Sequence, residues 1–238
     1  MADPKPPSQF TVLKYADVGT SEEFVRQMLE LFDVLNATLI VDREREAVHE
    51  ALGSIQMEGL LPAFLGLKKI RQSAGEEMPV LDRLQLYEDF ARKLWKSYKD
   101  LTQRTADAMG FKIGFLFQKD VQFEVGLKKF RGSNPSLAPG FEDFLRHTRC
   151  TWQKDLASFR NEFLEHQSQD RTPYKKFYAP STAENLFDVV WRTIVEILAQ
   201  LLSLRLPPGV TLVDQGSNEP GRQNPNRFAY HLQGFKEP

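Results

Sequence analysis

Residues 79–110 read PVLDRLQLYEDFARKLWKSYKDLTQRTADAMG, and this stretch decides the fold. Leu84, Tyr87, Ala91, Leu94, Tyr98, Leu101, Thr105 and Ala108 recur at alternating gaps of three and four. A half-buried strand would alternate every second residue, whereas this spacing lays one apolar stripe along a helix. Pro79 opens the helix and Gly110 marks its end, because glycine readily takes the left-handed conformation that closes helices.

The same periodicity continues on both sides. Downstream, Gly132-Ser133-Asn134-Pro135 and Ala138-Pro139-Gly140 bound a loop. Phe141, Leu145, Thr148, Trp152, Leu156, Phe159 and Phe163 then form a second seam, which Arg171-Thr172-Pro173 ends. Ser181 or Thr182 is placed to cap a last helix from Ala183 to about Leu206, stopped by Pro207-Pro208-Gly209. Upstream, Thr20-Ser21-Glu22-Glu23 resembles a helix start, followed by the stripe Phe24, Met28, Leu31, Phe32 and Leu35. Another helix is expected from about Asp42 through Leu52. Gly53, Gly59, Pro62 and Gly66 interrupt the next apolar segment, so the helix around Ala63–Ile70 is expected to be short.

Residues 111–130 carry two patterns. Phe111, Ile113, Phe115 and Phe117 alternate like a strand, while Leu116, Phe123, Leu127 and Phe130 fit a helix; the helical neighbours favour helix. Val210–Val213 and Phe228–Leu232 are strand-like and are expected to form a small hairpin. The expected architecture is all-α, a bundle of five to six main helices over residues 11–206. A proline-rich disordered leader over 1–10 precedes it and an irregular tail over 207–238 follows.

At 238 residues the chain can bury a core without covalent staples. Its 31 Lys+Arg and 32 Asp+Glu nearly cancel, which argues against a polycation that coats nucleic acid. The balance hides blocks: residues 1–90 hold 9 basic and 16 acidic side chains, residues 91–176 hold 17 and 10, and residues 177–238 hold 5 and 6. The basic middle block either presents an anion-binding face or packs against the acidic block.

Cys150 is the single cysteine, so neither an intrachain disulfide framework nor a cysteine-based zinc cluster can form. His49, His147, His166 and His231 are never closer than 19 residues, which rules out a helical His–His metal pair. No metal or cofactor is expected. Phosphate-binding glycine loops, a Gly-x-Ser-x-Gly elbow and His-Glu-x-x-His are all missing from the sequence. Cys150 with His147 or His166 would make a nucleophile pair, but its place on the seam reads as a packed cysteine.

The first residues lack the apolar run of a signal peptide. The apolar stretch Leu186–Leu206 is crossed by a polar stripe, Arg192, Glu196, Gln200 and Ser203, which reads as a wide amphipathic core helix and not a membrane span. The chain is therefore expected to be soluble and cytoplasmic. Trp95, Trp152 and Trp191, with eighteen Phe and six Tyr, are assigned to the core. Lys128-Lys129-Phe130-Arg131 and Lys175-Lys176 flank the seam in sequence and could steer phosphate; solvated charge is the alternative.

One constellation carries chemistry: Phe159-Arg160-Asn161-Glu162-Phe163-Leu164-Glu165-His166. Cleaving RNA without a metal needs a base for the 2′-OH proton, an acid for the leaving 5′-oxygen and positive charge on the phosphate. Histidine titrates in the range that proton transfer needs. Arginine stays charged and offers phosphate a planar fork. Asn161 can orient the histidine or hold a phosphate oxygen. An Arg-to-His spacing of this kind arises by chance about 0.8 times in such a chain, and Arg43 with His49 repeats it. Requiring Asn directly after the Arg lowers that expectation to about 0.02. Six steps of an ideal helix turn through about 600°, setting Arg160 and His166 about 120° apart. Convergence then needs the helix to end near His166, or a second subunit. Glu162, four residues before His166, is spaced to bond it.

Arg160-Asn161 followed by His166, on a major helix of a small bundle, resembles the HEPN superfamily over about residues 80–206. The resemblance implies a helical bundle that homodimerises, so that two copies of the motif line one cleft. It further implies metal-independent endoribonuclease activity by 2′-OH attack, often in toxin–antitoxin or other defence systems with an antitoxin partner. Arg160 would clamp phosphate, Asn161 would orient and His166 would be the acid/base. The competing readings are a non-catalytic HEPN-like interaction or scaffold protein, in which the motif stabilises a dimer, and an unrelated helical partner-binding protein.

Overall fold

The computed structural model describes residues 10–12, 42–75, 77–137, 140–161, 172–205, 210–214 and 228–232. Five helical rods dominate them, and the chain is an all-α bundle. The first rod joins α1 (Asp42–Ser54) through a π-helical turn at Ile55–Leu60 to α2 (Leu61–Ser73). The second joins α3 (Val80–Lys96) through a π turn at Ser97–Leu101 to α4 (Thr102–Ala108). A 3₁₀ turn at Gly114–Phe117 leads to α5 (Asp120–Ser133), the third rod. The fourth runs from α6 (Phe141–Thr148) through a π turn at Arg149–Gln153 into α7 (Lys154–Ser158) and is described to Asn161. A 3₁₀ stretch, Thr172–Tyr178, precedes α8 (Pro180–Ser203).

Three strands add a small antiparallel sheet. β1 (Phe10–Val12) and β2 (Val210–Asp214) flank a central β3 (Phe228–Leu232), with His231 opposite both Thr11 and Thr211. The two strand-like pieces of the tail thus pair with each other, and a third strand comes from the other end of the chain. Phe10, placed in the leader by composition, opens β1. Residues 1–9 and the stretch from Thr20 to Leu35 lie outside the described residues.

The second rod ends as its glycine requires. Gly110 sits at φ +82°, its N–H reaches the Asp107 carbonyl at 2.9 Å, and the Phe111 N–H reaches Ala106 at 2.8 Å. These two bonds satisfy the last carbonyls of the helix, and only the left-handed residue makes both available.

Three expectations need correction. Gly53, Gly59, Pro62 and Gly66 do not break the first rod, which is helical throughout 42–73. Pro62 lies in the first turn of α2, where the preceding π turn has already displaced the hydrogen-bond ladder: the Leu61 N–H bonds Gln56 instead of a residue four back. Gly59 is there for packing, because an added Cβ would meet Ser97 Oγ at 2.3 Å and Leu101 Cδ1 at 2.9 Å. Residues 111–130 are not one helix; only the 3₁₀ turn and α5 are helical, and the chain doubles back between them. The return is close because Gly126 has no side chain where Phe115 Cβ would lie 2.2 Å from a Cβ. Finally, neither Ser181 nor Thr182 caps α8. Ala179 is the cap residue and Pro180 begins the helix, its fixed φ suited to a first turn and its missing N–H one the helix would have left unpaired.

The π turns meet in the interior. Gly59, in the first, packs on Ser97 and Leu101 of the second. Tyr98, in the second, meets Trp152 of the third ring to ring at 4.7 Å and donates to Gln153 Oε1 at 3.0 Å. Gln153 Nε2 in turn donates to the Leu116 carbonyl at 2.6 Å. Burial pushes the Tyr98 phenol well above the ordinary tyrosine range. Trp95, Trp152 and Trp191 are all buried, as their helical spacing implied.

On α8 Arg192, Glu196 and Gln200 of the polar stripe are half-buried. Arg192 pairs with Asp188 at 2.5 Å and Gln200 donates to Glu196 at 3.1 Å. Burial outweighs Arg192 and raises the Asp188 carboxyl above its usual range. Among the described residues no helix is long and apolar enough to cross a membrane.

Candidate functional site

The fourth rod carries Phe159, Arg160 and Asn161 of the candidate motif. Phe159 is fully buried, and its ring stacks on Phe177 at 4.4 Å and 12°. The Tyr178 ring meets the same phenyl edge-on at 5.9 Å. This apolar anchor fixes the rotation of the turn, so the next two residues point away from the core. Arg160 is half-buried and Asn161 exposed. Arg160 Nη1 donates to Asn161 Oδ1 at 2.9 Å, which holds both side chains on one outer face. The backbone over 159–161 is π-helical, a wider turn than the α-helix before it. His166 and Glu162 lie outside the described residues.

The same stack brings the 3₁₀ stretch back alongside the motif turn. Lys176 pairs there with Asp155 on α7, while Lys175 is exposed. Phe177 and Tyr178 were not singled out in the sequence. They fall outside the seam's periodicity, so spacing alone gave no sign that they anchor the motif.

Other predicted groups are placed as follows. Arg149, next to Cys150, is buried and committed: it donates to Asp120 at 2.8 Å and to the Leu116 and Gln118 carbonyls at 3.3 and 2.5 Å. Its guanidinium also covers the Phe123 ring at 4.8 Å. Lys154 adds a second bond to Asp120 at 3.0 Å. Arg149 first and Lys154 second hold the Asp120 carboxyl below the usual carboxylate range. Cys150 is exposed, contrary to the expectation of a packed cysteine, because the third π turn faces Arg149, Trp152 and Gln153 inward and leaves Cys150 outside. His147 and His49 are exposed on their helices. Lys128 and Lys129 are exposed on α5, whereas Arg131 is tied to Leu137 O at 2.6 Å and Glu142 at 3.2 Å. Among the described residues no group of three or more His, Cys, Asp or Glu could hold a metal ion.

No family model, curated protein or solved structure matches this chain.

Proposed function

We propose that the chain is a metal-independent endoribonuclease of HEPN type that works as a homodimer. The observation that carries this reading is the presentation of Arg160 and Asn161 side by side on an outward turn anchored by buried Phe159. Arg160 clamps the non-bridging oxygens of the scissile phosphate and steadies the charge that builds there. One His166 takes the 2′-OH proton as the 2′-oxygen attacks phosphorus. The P–O5′ bond breaks, and the second subunit's copy of this histidine protonates the leaving 5′-oxygen. The product ends are a 2′,3′-cyclic phosphate and a free 5′-hydroxyl. Asn161, bonded to Arg160, sets the angle of the guanidinium fork. An antitoxin that covers this face would regulate such an enzyme.

The test is cleavage of total cellular RNA in EDTA by the purified full chain. His166→Ala and Arg160→Ala should each lower cleavage by a factor of about 100 or more, the usual range for losing an acid/base or an oxyanion donor. Circular dichroism should be unchanged. Wild-type protein that dimerises but leaves RNA intact would favour the scaffold reading, in which the Arg160–Asn161 bond serves an interface. Equal cleavage by wild type and both variants would reject the motif.

A further inference from the structure

Two features of the sequence have no part in that reading: the alternating phenylalanines after Gly110, and the Lys128-Lys129-Phe130-Arg131 run. The fold brings them together. Between α4, the 3₁₀ turn and α5 lies an open cleft of about 630 Å³, a size common among small-molecule sites. Its floor is aromatic. Phe130 meets Phe111 at 6.2 Å and Phe115 at 5.6 Å between ring centroids. Phe111 and Phe130 keep 9% and 8% of their surface exposed and Phe115 is half-buried, so ring surface faces the cleft.

Glycine keeps the space open. At Gly114 an added Cβ would meet only the Gln103 side chain, its Nε2 at 3.6 Å, in ordinary van der Waals contact, so there is room beside this glycine. The half-buried amides of Gln103 and Asn134 line the walls. At the mouth, Lys112 is neutralised by Asp107 at 3.0 Å. Lys129 is exposed and, among the described residues, has no carboxylate partner. The cleft therefore combines an apolar floor of rings inclined at 42° and 65° to one another, neutral hydrogen-bonding walls and, at its mouth, a lysine with no carboxylate partner among the described residues.

We infer that this cleft binds a planar aromatic carboxylate, its ring on Phe111, Phe115 and Phe130 and its carboxylate on Lys129. Aromatic rings prefer offset or edge contacts with such a floor, and a carboxylate at the mouth gains a charge-assisted bond without being buried. A cationic ligand would find Asp107 already taken. The cleft includes neither Arg160 nor Asn161, so the inference stands or falls independently of the ribonuclease reading.

The experiment is calorimetric titration of the full chain with 2-naphthoate, with 2-naphthol as the uncharged probe and adenosine monophosphate as a nucleotide probe. Naphthoate should bind more tightly than either. Lys129→Gln should weaken naphthoate about tenfold, the loss of one charged hydrogen bond, and leave naphthol unchanged. Gly114→Leu should abolish binding of both by filling the cleft. Circular dichroism and the melting temperature of each variant establish that it is folded. No binding of naphthoate, equal binding of naphthol, tighter binding of the nucleotide, or insensitivity to both variants would each overturn the inference.

Discussion

Gly59 shows how much a single missing side chain can do. Its Cα faces Ser97 and Leu101 so closely that a methyl group would sit 2.3 Å from the serine oxygen. Gly59→Ala should therefore destabilise the fold by about 1–3 kcal/mol through overpacking, although alanine is the better helix former. Urea denaturation measures this, and Ser97→Gly should cost less in the Gly59→Ala background than alone, since the two changes share one contact. An unchanged denaturation midpoint for Gly59→Ala would show that the rods can move apart at no cost. Glycine and proline are also where reading the sequence went astray: Gly59 and Pro62 looked like helix breakers because propensity treats each residue by itself. Their justification is a neighbour 38 positions away for Gly59 and a π turn for Pro62, and neither leaves a local trace. Gly110 was legible because its role, a left-handed helix terminus, is local.

At the scale of elements, the apolar stripes announced the second and fourth rods and α8, and those rods are present. What spacing did not reveal is that each of the first, second and fourth rods contains a π turn. A π turn inserts a residue without interrupting the stripe, so gaps of three and four absorb it. Arg160 and Asn161 stood out by residue type, but the stack that aims them depends on Phe177 from another element. Asp120, at the start of α5, similarly ties that helix to the fourth rod through Arg149 and Lys154. Because these cations depress its native pKa, the clip contributes stability above the ordinary aspartate range, and loses it as pH falls through the depressed value. The stability difference between wild type and Asp120→Asn should be largest near neutral pH and shrink on acidification below about pH 4. Urea denaturation across pH tests it; a difference that grows on acidification would contradict the assignment.

Over the whole molecule, the charge blocks of the sequence are substantially folded against each other. Lys96 reaches Glu58 at 3.2 Å and Arg104 reaches Glu50 at 3.1 Å, each joining the basic middle block to the acidic first block. Arg92 adds contacts to Glu88 and Asp89 across the same boundary. These pairs are mostly exposed, so each contributes little stability. They commit Arg92, Lys96 and Arg104 of the middle block to carboxylates of the first, while Lys129 and Lys175 of the same block are exposed.

The exposed thiol at Cys150 makes the assembly measurable without engineering. A nitroxide attached there places one spin on each chain at a known point of the fourth rod, the rod that carries the motif. If two chains pair through that rod, the two spins lie at one repeated separation, and pulsed electron resonance of the labelled protein should show a single dipolar distance that disappears on dilution with unlabelled chains. Absence of any coupling in the labelled protein at high concentration would argue for a monomer and against a cleft shared by two motifs.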